Sequence, residues 1–384
     1  MSRSVAVRVV FIITGLATGG AENMLLNLLS RFDRTNLHCH VISLTDMGVI
    51  GVRLAALGFT VEALGMNRRF PDPVRFLRLR RRLRQIKPEV VQTWLYHADL
   101  IGGLAARMAK IRTIIWGVRS ADFLQGPVSF STRLVVSLCT KASSWLPDRI
   151  LYNSHKGRAH HEKIGYAARG AVVIPNGVDV ETFRPNGQAR QEVRAELGLS
   201  STTPLIGFIS RFDYLKNHEG FIQAAGLLHR EMPAVHFVLA GQDVEWSNPV
   251  IKGAIERAGV TEVCHLLGRR TDIPRLTAAL DVQGLTSWSE AFPNVLIEAM
   301  ACGVPCVSTD VGDAAAILGD TGRVVRPGDM EGFAQACAEL LRLSHDQRRC
   351  LGEQSRAKAI TEFGLQAVVK QYEALYRGSV AWQA

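Results

Sequence analysis

The chain has 384 residues, 47% of them apolar and 21% charged, a formal net charge of +10 and seven cysteines. That length suggests about two domains at roughly 100–200 residues each, and the composition excludes disordered, collagen-like and disulfide-scaffold chains. No apolar run reaches the about 18 residues of a membrane-spanning helix, and Met1–Val5 leads into a strand-like run with no signal-peptide pattern, so a cytoplasmic chain is expected.

Short apolar runs alternate with stretches of helical period. Strands are expected at Val5–Ile13, Cys39–Leu44, Thr60–Ala63, Val90–Thr93, Thr113–Trp116, Arg149–Tyr152 and Val172–Ile174. A second series follows at Leu205–Ile209, His236–Leu239, Val263–Leu266, Val282–Thr286, Pro305–Thr309 and Gly322–Val325. Helices fall between them, among them Glu22–Arg31, His218–Glu231 and Met330–Leu343. Such alternation predicts parallel sheets covered on both faces. There are too many strands for one ordinary open sheet, so an α/β chain of two doubly wound, Rossmann-like domains facing each other across a cleft is expected. The break falls near Ile174-Pro-Asn-Gly-Val-Asp179, ahead of a polar helix at Gln188–Leu197. The expected domains are therefore 1–180 and 181–363. A final helix, Gly364–Tyr376, lies in a tail (364–384) expected to pack back on the first domain. The cysteines form no Cys-x-x-Cys pair, which reads as buried thiols in a reducing compartment.

Charge is lopsided. Residues 1–187 carry +14 and the remainder −4. Between Arg68 and Lys87 nine basic residues face one acid, Asp72. Within this stretch Phe76, Leu79, Leu83 and Ile86 recur at helical spacing after Pro73, giving one amphipathic helix with an arginine-rich face. A solvated face, anionic lipid headgroups and nucleic acid all fit such a face. Nucleic acid fits worst, since only Phe70 and Phe76 supply rings and no zinc-finger spacing occurs; no nucleic-acid partner is expected.

In an α/β sheet, ligands bind in loops at the carboxyl ends of strands. Three such loops stand out. Thr14–Glu22 follows the first strand, and Gly19 and Gly20 let backbone approach an anion at the following helix. It is neither a dinucleotide fingerprint nor a P-loop, because the chain has no Gly-x-Gly and no Gly-Lys-Ser/Thr; taken alone it reads as a tight turn. Arg211 and Lys216 follow the strand Leu205–Ile209, five apart, and can converge on one phosphate. Glu290 and Glu298 bracket a segment in which Pro293 suits the first helical position and Gly303 and Pro305 mark the end. The early N–H groups at Asn294, Val295 and Leu296 can grip an anion, and the two carboxylates can accept from sugar hydroxyls. No Asp-x-Asp occurs, so no seat for a carboxylate-held divalent metal is expected. Together, two cations, a helix N-terminus and two carboxylates ask for a nucleotide-diphosphate sugar bound without metal or other cofactor.

With these residues the sequence resembles the retaining glycosyltransferases of family 4, which have the GT-B fold. The resemblance is carried by Gly19-Gly-Ala-Glu22, by Ile174–Asp179 with Phe183 and Pro185, by Arg211 with Lys216-Asn217, by Glu290-x7-Glu298, and by Val311-Gly312. It implies a donor-binding second domain and an acceptor-binding first domain. Arg211 and Lys216 would stabilise the departing diphosphate, helped by amides at Gly20 and Asn294–Leu296. Glu298 would hold the ribose and Glu290 the donor sugar or its phosphate. Transfer would retain anomeric configuration by front-face attack, with the leaving phosphate as base. Where many relatives have a histidine after the strand matching Thr113–Trp116, this chain has Arg119, which cannot act as a base at neutral pH; His97 is another acceptor-side candidate. The donor would be a UDP- or GDP-linked hexose or N-acetylhexosamine. The acceptor would be a glycan or lipid-linked precursor of polysaccharide, lipopolysaccharide or capsule, met by an enzyme peripheral to the cytosolic face of the inner membrane. A sugar-nucleotide epimerase on the same architecture and a non-catalytic nucleotide-sugar-binding protein are the alternatives.

Overall fold

A computed structural model describes residues 6–67, 72–120 and 129–381. Met1–Val5 and, of the basic stretch, Arg68, Arg69 and Phe70 lie outside the described residues. The chain divides into two units, one running to Gly177 and resuming at Leu365, the other Val178–Gly364.

In the first unit the elements alternate strictly: β1 (Val7–Ile13), α1 (Gly20–Arg31), β2 (Leu37–Ser43), α2 (Gly48–Ala56), β3 (Thr60–Ala63), α3 (Pro73–Ile86), β4 (Val90–Trp94), α4 (Tyr96–Met108), β5 (Thr113–Val118), α5 (Phe130–Ala142), β6 (Arg149–Tyr152), α6 (His155–Lys163) and β7 (Ala171–Val173). The second unit continues with α7 (Gly187–Glu196), β8 (Leu205–Ile209), α8 (His218–Glu231), β9 (His236–Ala240), α9 (Pro249–Ala258), β10 (Cys264–Leu266), α10 (Ile273–Ala278), β11 (Val282–Leu285), α11 (Asn294–Ala301), β12 (Cys306–Thr309), α12 (Ala314–Leu318), β13 (Arg323–Val325), α13 (Met330–Arg342) and α14 (His345–Phe363). A last helix, α15 (Leu365–Ala381), belongs to the first unit.

Each unit holds one all-parallel sheet, in the orders β3-β2-β1-β4-β5-β6-β7 and β10-β9-β8-β11-β12-β13. Helices cover both faces. In the first unit α1, α2 and α15 share a core with one side of β1, while α3, α4 and α5 share a core with the other. This is why β1 reads as a continuous apolar run from Val9 to Ile13: both faces are buried. In each sheet the chain reverses its direction of winding between two central strands, β1 and β4 in the first, β8 and β11 in the second. Ligands of doubly wound sheets sit at the carboxyl ends of such strands, where diverging loops leave a crevice. Among the described residues no helix is long and apolar enough to cross a membrane.

The basic helix forms as α3. Asp72 caps it by accepting the Arg75 N–H (3.0 Å), Pro73 opens it, and Lys87 ends it in the left-handed region at φ 50°. Leu79 and Leu83 are its buried stripe. Some of its arginines are engaged: Arg75 by Asp72 (2.6 Å), Arg82 by Glu62 (2.9 Å) and Arg80 by the Met108 carbonyl (3.3 Å).

Arg119, after β5, is held from three directions within the first unit. Its guanidinium lies 3.7 Å over the Trp94 ring; it donates to Asn176 Oδ1 (2.7 Å) and to the Tyr372 hydroxyl of α15. Arg119 therefore fastens the residues before Gly177 and the returning helix to the sheet. Tyr372→Phe removes one acceptor from a half-buried cation and is expected to lower unfolding stability by about 1 kcal/mol. Urea titration of both proteins checks this, with an unchanged midpoint speaking against the fastening.

Candidate functional site

In the second unit the candidate residues gather at the winding reversal. After β8 the chain makes a short 3-10 turn at Tyr214–Lys216. Asp213 starts the turn by accepting the Leu215 N–H (2.9 Å) and also takes a hydrogen bond from Arg211 Nη2 (2.9 Å). The turn ends at Asn217, left-handed at φ 55°, whose side-chain oxygen accepts the Gly220 N–H (3.1 Å) and caps α8. The loop after β11 is stitched to this one. Trp288 N–H donates to the Leu215 carbonyl (2.8 Å), Thr286 Oγ1 to the Asn217 carbonyl (3.0 Å), and Asn217 Nδ2 to the Thr286 carbonyl (3.2 Å).

That stitching sets the central contact. Lys216 Nζ lies 2.5 Å from Glu290 Oε1, and Ser287 Oγ donates to the same oxygen at 2.8 Å. Both charged side chains are largely covered, so the pair is poorly screened. Gly312 supports Glu290 from behind: it is left-handed (φ +50°), and a Cβ there would meet the Glu290 carbonyl at 2.5 Å and the Ala291 carbonyl at 2.4 Å. Arg211 is the exposed member of the group, with 60% of its side chain accessible. His218 packs edge-on to Phe208 (4.9 Å) beneath the loop, and burial pushes its pKa down to about 4. It stays a neutral support under the Lys216 turn.

Along α11, Glu298 is half-buried and has no side-chain hydrogen-bond partner among the described residues. Burial alone pushes its carboxyl up to about 7. Pro293 stands at the N-cap, one residue before its expected place, so its carbonyl accepts the Leu296 N–H (3.1 Å). Leu296 is buried, and its amide, one of the three expected to meet an anion, is spent on the Pro293 carbonyl. A groove of about 600 Å³ borders the site at Asn217 and Trp288, but neither Lys216 nor Glu290 lines it.

Gly19 and Gly20 belong to the first unit. Gly19 is the extended N-cap of α1, and a Cβ there would meet Glu22 Oε2 at 2.3 Å. A carboxylate therefore lies over the helix start that the sequence offers to an anion. His97 is on the first turn of α4, after Leu95, which adopts φ 75° and ψ 151°, a conformation costly for a side chain with a Cβ. His97 shares a pocket of about 480 Å³ with Thr14, Thr45 and Asn67 and with the apolar Met66, Phe76 and Leu134. Arg119 does not line this pocket; the contacts with Trp94, Asn176 and Tyr372 hold it elsewhere. Among the described residues no group of three or more His, Cys, Asp or Glu side chains is placed to hold a metal ion. All seven cysteines are free.

Sequence reasoning passed over Asp213 and Ser287, which hold Arg211 and Glu290. Both were readable as hydrogen-bonding side chains two or three positions from the charged residues they serve.

Two family descriptions match the chain: "Glycosyltransferase Family 4" over residues 18–182 and "Glycosyl transferases group 1" over residues 203–343. The putative glycosyltransferase EpsF of Bacillus subtilis is 28% identical over 326 residues, 79% of either chain. N-acetyl-alpha-D-glucosaminyl L-malate synthase of Bacillus anthracis is 31% identical over 187 residues, 48% of either chain. Among solved structures, Anabaena HepE in complex with UDP-glucose superposes with a TM-score of 0.82 at 21% identity, covering 97% of this chain and 99% of that one. WaaG, a glycosyltransferase involved in lipopolysaccharide biosynthesis, superposes at 0.73 with 15% identity, covering 96% and 100%.

Proposed function

We propose, from the premise that this chain belongs to the family 4 glycosyltransferases and has two Rossmann-like domains of GT-B type, that it transfers a hexosyl-type sugar from a nucleotide-diphosphate donor to a glycan or lipid-linked acceptor with retention of configuration. The observation that carries this reading is the Lys216–Glu290 contact at the carboxyl ends of β8 and β11. A largely covered lysine already paired with a carboxylate that a phosphate can displace supports a diphosphate seat at these strand ends.

In this reading the donor diphosphate takes the Lys216 ammonium and the exposed Arg211 fork, with the Val295 backbone assisting. Negative charge grows on the leaving phosphate as the sugar–oxygen bond breaks, and fixed cations stabilise that charge more than they stabilise the bound donor. Glu290, relieved of Lys216, turns to a donor hydroxyl, and Glu298 accepts from the ribose. The leaving phosphate takes the acceptor proton on the same face of the ring. His97 and its pocket in the first unit would receive the acceptor. HepE is known with UDP-glucose, which favours a UDP-sugar here. A role in polysaccharide or lipopolysaccharide assembly agrees with the printed name of WaaG, and α3 suits an anionic surface such as the cytosolic face of a membrane.

A melting-temperature panel with UDP, GDP and ADP and their sugars, with and without EDTA, tests the reading. One diphosphate class is expected to raise the melting temperature, since a ligand that binds only the folded state stabilises it, and EDTA is expected to change nothing. No rise with any nucleotide at millimolar concentration, or a rise abolished by EDTA, would reject the metal-free donor site. A donor that is epimerised when no acceptor is present would point to the epimerase instead.

A further inference from the structure

The groove of about 600 Å³ in the second unit is not used by the chemistry described above. It meets the Lys216 turn at Asn217 and Trp288 and then runs away from it along α8 to Arg230. Gln223 and Arg230 stand at i and i+7 on α8, so they share one face, about 10 Å apart along the helix axis. Both are exposed, and neither makes a hydrogen bond or ion pair among the described residues. Across the groove Arg257 of α9 meets Glu219 at 3.4 Å. The two helices approach closely because position 226 is glycine: a Cβ there would meet the Ala258 carbonyl at 2.8 Å.

One end of the groove is aromatic. Trp288 is 36% exposed, and its ring is braced by the Gly328 backbone. Gly328 is left-handed (φ +86°), and a Cβ there would meet Trp288 Cη2 and Cζ3 at 3.2 Å. The Trp288 N–H is bound to the Leu215 carbonyl (2.8 Å), so backbone and ring are both held. A fixed, partly exposed ring beside open polar walls suits a ligand with an apolar face and hydroxyls around its edge. The Gln223 amide donates and accepts, the Arg230 guanidinium donates, and hydroxyls can answer both. A polyanion fits poorly, because Glu219 balances Arg257 and this half of the chain carries the net negative charge. An apolar peptide fits poorly too. The large aliphatic side chains along the groove are Leu227 and Met330, and Met330 is buried.

We propose that this groove binds an uncharged stretch of glycan chain, with one sugar ring against Trp288 and hydroxyls of the following units on Gln223 and Arg230. Binding of the chain does not depend on the glycosyl-transfer reading. That the bound chain is an acceptor or product held beside the Lys216 turn does rest on it.

The test is isothermal titration of the full chain with maltohexaose, cellohexaose and chitohexaose, each against its disaccharide, and with dextran sulfate as a polyanion. At least one neutral hexasaccharide is expected to bind at millimolar concentration or below, more tightly than its disaccharide. Trp288→Ala is expected to weaken it by about tenfold, the fold-change of roughly one stacking contact, and Trp288→Phe to recover part of that loss. Gln223→Ala with Arg230→Ala, two exposed positions whose side chains make no contact that the fold needs, is expected to weaken the hexasaccharide by about tenfold as well, while the nucleotide-induced melting shift is kept. No binding of any neutral hexasaccharide, equal affinity in the Trp288→Ala and Gln223→Ala/Arg230→Ala proteins, or binding of dextran sulfate alone would overturn the proposal. A normal nucleotide shift without glycan binding rejects the groove alone, and glycan binding without a nucleotide shift rejects the donor reading alone.

Discussion

Lys216→Ala is expected to lower the rate of transfer at saturating donor by about 10²–10³-fold, since removing one preorganised donor from a developing oxyanion costs about 3–4 kcal/mol. The loss should fall mainly on kcat. A lysine that met the bound donor and the transition state equally would change donor affinity instead. The structure adds a second component. Glu290 Oε1 is shared by Lys216 and Ser287, so deleting the lysine leaves a covered carboxylate balanced by one hydroxyl, beside the place where phosphate charge would accumulate. Part of the loss is then repulsion, and Glu290→Gln should restore part of it in the Lys216→Ala background. A double-mutant cycle on kcat measures this coupling. Arg211→Ala is expected to act in the same direction, from a position more open to solvent and so more screened. Wild-type turnover in Lys216→Ala would place the leaving group somewhere else in the molecule.

The architecture was legible because parallel strands buried on both faces announce themselves. β3, β6 and β8 run as the sequence pattern predicts, residue for residue, bounded by turns and polar segments. The helix α14 was not legible. Its sequence is polar, and its contact face is Gly352, Ser355, Ala359 and Phe363. Its closest approach to the core brings Gly352 against the Gly303 carbonyl, where an added Cβ would come within 2.2 Å. A seam of small residues carries no hydrophobic period to read. Its start was readable all the same, from the Ser344–Gln347 capping box.

The site divides along similar lines. Charged residues on loops after central strands are visible in sequence, because loop residues of those types have few folding reasons to be there. Their partners are set by tertiary contact. Arg119 looked available as a loop cation after β5, yet Tyr372, some 250 positions away, takes part of its guanidinium. The Leu296 amide looked available at a helix start, yet the Pro293 carbonyl accepts it through a tight i to i−3 turn. In the first unit, Glu22 covers the turn at Gly19 that a glycine pair alone presents as open.

Glu298→Gln is expected to weaken donor binding by about 10–100-fold, the range given by losing hydrogen bonds to a charged acceptor at about 1.5–3 kcal/mol. It should also change how binding depends on pH, which a merely structural residue would not do. In the donor-free protein, burial holds the Glu298 carboxyl up at about 7, against an ordinary value of 4.5. The folded state therefore prefers the protonated form, and ionising the group costs stability progressively as pH rises from about 4.5 through about 7. Hydroxyls that donate to the carboxylate favour its ionised form and return that cost on binding. Donor affinity should then fall as pH drops below about 7 and level off above it. The glutamine variant, with nothing to ionise, should bind weakly with this step removed. Isothermal titration of the donor nucleotide between pH 5.5 and 8.5 (a window of about three units chosen to straddle that value) reads both effects at once. A wild-type affinity that is flat across this window, or a step of the same size in Glu298→Gln, would mean that Glu298 does not hold the donor hydroxyls. The half-buried, unpartnered carboxylate would then have to be explained by the packing of α11 alone.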